Sequence, residues 1–407
     1  MIKPTEILIQ DYDYDLPIER VALYPLEQRD ESRLLCYKNN QITTSTFKNI
    51  PDYLPQGASL ILNNTRVIQA RILFQKLTGG IVELFCLEPE EEADITKALN
   101  KTKTTRWKCY IGGASKWKHG EILSKEVQIE GEELNLSARF VSKSQDTFTI
   151  EFSWNPPILS FAEVLDATGG IPLPPYIKRK PVQTDTDRYQ TIFAKTEGSV
   201  AAPTAALHFT ETVFSKMEDK NIIIDYLTLH VGAGTFKPVK TDSIAEHHMH
   251  AERFEVSIPT LKSLIDSKEL IAVGTTSLRT LESLYWIGIK LLQGNHNTDN
   301  ELSLGQWEAY ELKNNNITYK ESINAIIDFL NKKDTHTLFC QTSLLIIPGY
   351  KFHSAKALIT NFHQPRSTLL LLVAAFIGED WKDVYDYALK NEFRFLSYGD
   401  SSLLWRK

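Results

Sequence analysis

The sequence predicts an α/β fold, a layered α/β sheet domain with an inserted small β-barrel domain. Three observations lead there. Apolar runs of strand length alternate with segments of helical spacing along most of the chain. Between residues 67 and 155 that texture gives way to short, often alternating segments parted by Gly, Asn, Ser and charge. The 407 residues, 42% of them hydrophobic, are enough for two domains with a core each. The expected division is a discontinuous α/β domain over 1–66 and 156–407, and a barrel over 67–155.

In chain order, "SLILNN" (59–64) reads as the first buried strand. The barrel segments follow: "ARILFQ", "GIVELFCLE", "RWKCYIGG", "EILSKEVQIEG", "LNLSARFVS" and "DTFTIEFSW". After them "NIIIDYLTLHVG" (221–232), "ELIAVGTT" (269–276), "SLLIIPG" (343–349) and "KALITNFH" (356–363) read as further buried strands. Helical spacing marks "AALHFTETVFSKMED", "IPTLKSLIDS", "SLRTLESLYWI", "ESINAIIDFLNKK", "STLLLLVAAFI" and "DWKDVYDYALKN". The polar stretch "LQGNHNTDNELSLG" (292–305) reads as a surface loop.

Composition narrows the function. A net charge of −6 does not announce a polyanion partner, so any nucleic-acid contact needs a local basic patch. Cys36, Cys86, Cys109 and Cys340 are scattered, which argues against a disulfide framework or a zinc ribbon and for a reducing compartment. The N-terminus lacks a targeting pattern, and the longest apolar run, 369–377, is too short to span a bilayer. A cytoplasmic protein without a membrane association is expected.

Polar residues collect where the five inferred strands end: "NNTR" (63–66), "HVGAG" (230–234), "GTTS" (274–277), "PGY" (348–350) and "TNFH" (360–363). Ligands of open α/β sheets sit outside the carboxyl ends of the strands. "AVGTTSLRTLES" puts hydroxyls and free N–H groups at a helix start, with Arg279 one turn inside; this favours an anion, and a plain N-cap by Thr276 or Ser277 is the other reading. In "TNFHQPRSTLLLLV", Ser367 caps the next helix and leaves Asn361 and His363 facing the crevice. "HVGAGTF" lacks the third glycine and the helix of a dinucleotide loop. "EHHMHAE" (246–252) crowds three histidines and two glutamates, but not in zinc-ligand order, so no metal is expected and acid–base or orienting roles fit better. In "GSVAAPTAALHFT" (198–210), side chains small enough for the backbone to approach a flat ligand lead to Pro203, Thr204 and His208. Tight helix packing on the sheet would explain the same small residues.

With "YPLEQRDESRLL", "NNTRVIQARI", "GGIPLPPYIKR", "DRYQTIFAKTEGSVAAPTAALHFT", "HVGAGTFKPV", "EHHMHAE", "VGTTSLRTLES", "PGYKF", "LITNFHQPRSTLLLLV" and "FRFLSYGDSSLL", the chain resembles the S-adenosylmethionine:tRNA ribosyltransferase-isomerase family of queuosine biosynthesis nearly end to end. It departs at Ala206 and Gln364, around residues 353–356, and in a longer stretch over 292–335. The resemblance implies that S-adenosylmethionine is consumed as a ribosyl donor. Its ribose would be transferred and isomerised onto 7-aminomethyl-7-deazaguanine at the wobble position of tRNA, giving epoxyqueuosine, adenine and methionine. It implies no metal and no redox cofactor, an α/β domain with an inserted barrel, and tRNA and S-adenosylmethionine as partners; a monomer is expected.

Placed on this sequence, the motifs assign substrate binding to Asn64, Thr65 and Arg66, to Arg188 and Tyr189, and to Gly198, Ser199, Pro203 and Thr204. They add His230, Gly232, Gly234, Thr235 and Phe236, then Thr275, Thr276 and Arg279, then Asn361, Ser367 and Thr368, and finally Tyr398 and Asp400. Proton transfer is expected from a histidine, because imidazole titrates near neutral pH. His208 and His250 stand ahead of His363 and His230; Glu252 is positioned to orient His250, and Glu252 and Asp400 follow as carboxylate candidates. The basic run at Lys178, Arg179, Lys180 and Arg188 is the expected tRNA patch. Two rivals remain, a conventional methyltransferase and a barrel that only binds RNA. The first wants a Gly-rich loop after the first strand, where "NNTRV" stands, and the second leaves the polar motifs outside the barrel unexplained.

Overall fold

The computed structural model describes residues 4–76, 78–92, 94–118, 120–129, 131–144, 147–232, 239, 241–294, 302–314 and 316–407. The described residues form a mixed α/β structure with three sheets. The largest has ten strands, in the order Leu302–Leu304, Thr337–Thr342, Glu252–Ser257, Ile223–Leu229, Ser59–Asn63, Leu270–Val273, Ala357–Asn361, Ser401–Trp405, Arg33–Lys38 and Gln41–Thr46. The four from Ile223–Leu229 to Ala357–Asn361 run parallel, and antiparallel neighbours flank them on both sides.

Sequence explains why those four lie in the middle. Ser59–Asn63, Leu270–Val273 and Ala357–Asn361 are buried at every position, as parallel strands covered on both faces must be. Successive side chains divide between two cores. Ile61, Ala272 and Leu358 face the helices Ile258–Asp266, Thr275–Leu292, Tyr319–Lys332, Thr368–Ile377 and Trp381–Lys390. Leu60, Leu62, Ile271, Val273 and Ile359 face Phe47, Phe209 and the helix Glu211–Asp219. Helix starts follow their sequence signals: Thr318 and Glu321 form a capping box, and Ser257 and Ser367 cap the helices they precede.

Three expectations need correction. "SLLIIPG" is buried but is not a strand: the amides of Ser343, Leu345 and Ile347 bond Leu304 O, Gln306 O and Tyr310 Oη, a strand end, a turn and a helix side chain, so no ladder forms. The helix expected from Ala205 begins only at Glu211, because Thr204–Ala206 make a single 3-10 turn and Thr210 is the N-cap. The stretch 292–305 is not loop throughout: Leu302–Leu304 adds an edge strand, while the helix expected at "ESINAIIDFLNKK" forms as Tyr319–Lys332 and packs on Thr275–Leu292.

The second sheet has seven strands, ordered Gly169–Gly170, Arg71–Gln75, Ile81–Pro89, Thr104–Gly112, Thr147–Asn155, Glu132–Ser144 and Ile122–Ile129. All six segments read from sequence are strands in it. It curls into a half-barrel, and the closure expected of a barrel is not completed: among the described residues Ile122–Ile129 pairs with Glu132–Ser144 alone. The two edge strands Arg71–Gln75 and Ile122–Ile129 approach each other without pairing, and the helix Phe161–Thr168 touches both. Its Phe161 ring packs against Trp107, Phe152 and Trp154 at centroid distances of 5.3–5.5 Å. The excursion is tied where it leaves the main sheet, since Thr196–Ser199 pairs in parallel with Thr65–Val67. Among the described residues no helix is long and apolar enough to cross a membrane.

Gly288 marks the closest helix contact. A Cβ there would lie 2.1 Å from Ser322 Oγ and 2.2 Å from Ser322 O, across the contact between Thr275–Leu292 and Tyr319–Lys332. Gly288→Ala is therefore expected to cost about 1–3 kcal/mol despite the better helix propensity of Ala, read as a lower urea midpoint. An unchanged midpoint would show that the two helices separate freely.

Candidate active site

Because the four central strands are parallel, their carboxyl ends share one edge of the sheet. A cleft enclosing about 740 Å³, part of it open to solvent, lies there. Ala201–Ala205 form one wall, and Val231, Gly274–Thr276 and Thr360–Gln364 come from three of the strand exits, with Ser367 beside them. The small-residue loop is fastened by Ser199: its hydroxyl donates to Ala201 O (2.8 Å) and accepts from Val231 N (3.0 Å). Gly274 is the N-cap of Thr275–Leu292 at φ 90°, and among the described residues no side chain caps that helix. The plain N-cap read for Thr276 or Ser277 is thus not made, and first-turn N–H groups are left for a ligand at the cleft. Ser367 does cap its helix, accepting from Leu370 N (3.2 Å).

One hydrogen-bond chain fixes the polarity of the wall. His208 Nδ1 lies 3.3 Å from Arg29 O, a pure acceptor, so Nδ1 carries the proton. Burial draws this imidazole down to about 4, so the ring is neutral and Nε2 is an acceptor. Asn361 Nδ2, at 3.5 Å, donates to it. The Asn361 Oδ1 then accepts the Thr204 hydroxyl proton at 2.8 Å. Thr204 and Asn361 line the cleft; His208 does not. With its proton committed, Thr204 Oγ1 can only accept from a ligand, and His208, engaged at both nitrogens, orients Asn361 instead of taking a proton from a substrate.

The other histidines separate in the same way. His363 lines the cleft, its Nε2 2.9 Å from Thr360 Oγ1, its amide on Tyr385 Oη and its carbonyl accepting from Tyr14 Oη. Burial draws it down to about 3. His250 is exposed on the segment before Glu252–Ser257. Glu252 does not turn to it: its carboxylate pairs with Arg279 and accepts from Gly232 N (3.0 Å), both acidic and basic side chains being at least nine-tenths buried. Burial lowers the Arg279 guanidinium to about 10. His230 is lowered to about 4, chiefly by burial and then by the Arg253 charge, and packs against Gly198. A Cβ on Gly198 would stand 2.5 Å from Ile95 and 2.8 Å from His230 Nδ1, and φ is +131°, so only glycine fits where the half-barrel meets the main sheet.

Several expected ligand residues are structural here. Asn64 Oδ1 accepts from Thr228, Thr65 is buried beside Thr196, and Arg66 lies outside the cleft near Glu197. Asn63, which sequence reasoning passed over, bonds Leu229 N and O and Thr65 N. "PGY" leads away from the cleft: Tyr350 Oη donates to Glu282, which also accepts from His353 N and Ser354 N. Arg188 is spent on the carbonyls of Leu26 and Glu27, and Tyr189 is fully buried. Arg179 makes a two-pronged ion pair with Asp185 (2.6 and 2.7 Å), and Tyr398 joins the same carboxylate. The basic patch therefore reduces to Lys178 and Lys180, which are exposed. Asp400 is buried and accepts from Arg33 N and Arg394 N, so it shapes the chain and is not a free base. Thr368 borders a smaller cavity with Arg279. Gly234, Thr235 and Phe236 fall outside the described residues. Tyr176, Phe362 and Ser397, which were not singled out, line the cleft although they stand inside the quoted motifs. Among the described residues no group of three His, Cys, Asp or Glu is placed to hold a metal ion.

Two outcomes follow from these charges. Arg279→Met leaves Glu252 buried without its partner and is expected to cost about 3–5 kcal/mol in urea unfolding, while adding Glu252→Gln restores much of it; equal losses in single and double variants would mean the pair is not coupled. His208, His230 and His363 have folded pKa values below their ordinary one, so the unfolded chain binds protons first and stability is lost as pH falls from about 6.5 toward 4. The melting temperature should drop across that window, and His363→Gln should flatten the drop.

The chain matches the family described as queuosine biosynthesis protein over residues 9–404. It is 36% identical over 401 residues to an S-adenosylmethionine:tRNA ribosyltransferase-isomerase of Nitrosomonas europaea, covering 97% of this chain and 95% of that protein. A protein of the same name from Rickettsia bellii is 35% identical over 406 residues, 98% of this chain and 99% of the other. Among solved structures it is similar to S-adenosylmethionine tRNA ribosyltransferase from Thermotoga maritima, at 26% identity and a TM-score of 0.45 over 97% of this chain and 99% of that one. Over nearly its whole length, then, the chain belongs to the queuosine biosynthesis family, as an S-adenosylmethionine:tRNA ribosyltransferase-isomerase.

Proposed function

We propose that the cleft takes S-adenosylmethionine as a ribosyl donor, and that the ribose is transferred and isomerised onto 7-aminomethyl-7-deazaguanine at the wobble position of tRNA. The products are epoxyqueuosine in tRNA, adenine and methionine. The observation that carries this reading is the convergence of the 201–205, 231, 274–276 and 360–367 segments on one cleft, in a chain of this family. No metal or redox cofactor is required, and the protein acts as a cytoplasmic monomer. The division into 1–66 with 156–407, and 67–155, belongs to the same reading.

The residues have the chemistry for it. The uncapped start of Thr275–Leu292 offers N–H groups to the methionine carboxylate. Ala201–Ala205 let a flat adenine or ribose come close to the backbone, and Thr204 Oγ1 accepts from a ribose hydroxyl or an amino group. His363 alone among the four expected proton-transfer residues lines the cleft. Its place in the cleft makes it the group to take the proton beside the sulfonium; the burial that keeps it neutral also weakens it as a base, so the role rests on position and not on titration near neutral pH. The buried walls limit hydrolysis of a reactive ribosyl species.

Purified protein with S-adenosylmethionine and precursor-bearing tRNA should release adenine. Release of S-adenosylhomocysteine would point to a methyltransferase, and release of nothing to a binding module. His363→Ala should slow adenine release about 10²–10⁴-fold while binding of S-adenosylmethionine changes far less; near-normal turnover would remove it from proton transfer.

A further inference from the structure

We propose that the open mouth of the half-barrel is a second RNA contact, a pocket that stacks an unpaired nucleobase and holds its phosphate with lysines. This rests on the reading that the substrate is a tRNA. Along Thr104–Gly112, Glu132–Ser144 and Thr147–Asn155, the inward stripes Trp107–Cys109, Leu136–Ala138 and Phe152–Ile150 are buried in the core. The same stripes continue outward to Ile111, Phe140 and Phe148, which are only partly buried. Trp117, held by its Nε1–H to Glu121 O (2.9 Å), closes the cluster. Together with Ala114 and Lys118 they line a shallow, solvent-open cavity of about 450 Å³.

The ring geometry and the charge both select a nucleotide. Trp117 meets Phe140, and Phe140 meets Phe148, edge to face at 6.3 and 6.0 Å, so the three rings form one aromatic wall of the cavity against which a base can pack. Lys118 lines the cavity, and Lys143 Nζ stands 5.5 Å from the Phe148 ring centre. Glu121, the neighbouring carboxylate, is taken up by Lys76 at 2.8 Å. A cationic rim around aromatic faces, on a chain of net charge −6, complements a base with its phosphate better than an apolar peptide. The run at 178–188 keeps only Lys178 and Lys180 for such a contact, since Arg179 and Arg188 are consumed internally. Phe148 lies seven residues from the far end of its strand, roughly 25 Å at strand rise. Among the described residues none lines both this cavity and the reacting cleft, so the mouth is a second grip on an extended RNA.

The test measures tRNA binding against salt and adenine release for the full chain, as wild type, Lys118→Glu/Lys143→Glu, Trp117→Ala and Trp117→Phe. The lysine pair is exposed and should fold normally; Trp117→Phe keeps the ring and controls for lost packing. Expected are about tenfold weaker tRNA binding for the charge reversal with a salt slope lower by about 1–2, weaker binding for Trp117→Ala restored by Trp117→Phe, and unchanged adenine release at saturating tRNA. Wild-type affinity and slope in all variants would overturn the pocket while leaving the enzymatic reading intact. Wild-type protein that binds no tRNA would overturn both.

Discussion

Everything in the site depends on four parallel strands ending on one edge of a sheet that is buried on both faces. Parallel ladders cannot turn back by hairpins, so each strand exit must lead into a loop or helix on that edge, and each leaves polar backbone that needs a partner. Asn63 answers this for its own strand and the next, bonding Leu229 on both its N–H and its C=O. Ser199 does the same for Val231. The cleft is the space between exits after these internal demands are met.

Burial then decides which polar residues remain chemical. Glu252 and Arg279 share a nearly dry site, so their charges cancel each other and hold Gly232 to the start of Thr275–Leu292. The histidines are kept neutral by the same exclusion of water. Neutrality lets His208 act as a one-way link in a hydrogen-bond chain; a protonated ring would have two donors and would turn the Asn361 amide around. The site is thus oriented mainly by dipoles, with one internal ion pair, and presents little fixed charge of its own.

The half-barrel follows a different economy. Its inner face is closed at one end by the helix Phe161–Thr168, whose Phe161 sits among Trp107, Phe152 and Trp154. A sheet plugged in this way does not need to close its ladder, because the helix covers the apolar face that closure would otherwise hide. The opposite end carries the aromatic mouth and its lysines. The unit is joined to the main sheet where Ile95 and His230 press against Gly198, a contact that tolerates no side chain.

The central strands, the six strands of the half-barrel and most helix starts were determined by the sequence itself. Their signals are local: unbroken burial, alternation, and Ser or Thr caps a few residues from the groups they satisfy. Three of the five strand exits read from sequence meet at the cleft, because the strands they leave run parallel. Only the tertiary structure decided what each polar side chain does, because its partner lies far away along the chain. His208 meets Arg29 across 179 positions and Asn361 across 153, while Glu252 faces Arg279 and not the nearby His250. Arg179 looked like a phosphate ligand until Asp185 folded against it in a site with room for no water-exposed charge. "SLLIIPG" carried the composition of a strand, but whether a buried run joins a ladder depends on which backbone lies beside it, and only the assembled fold sets that.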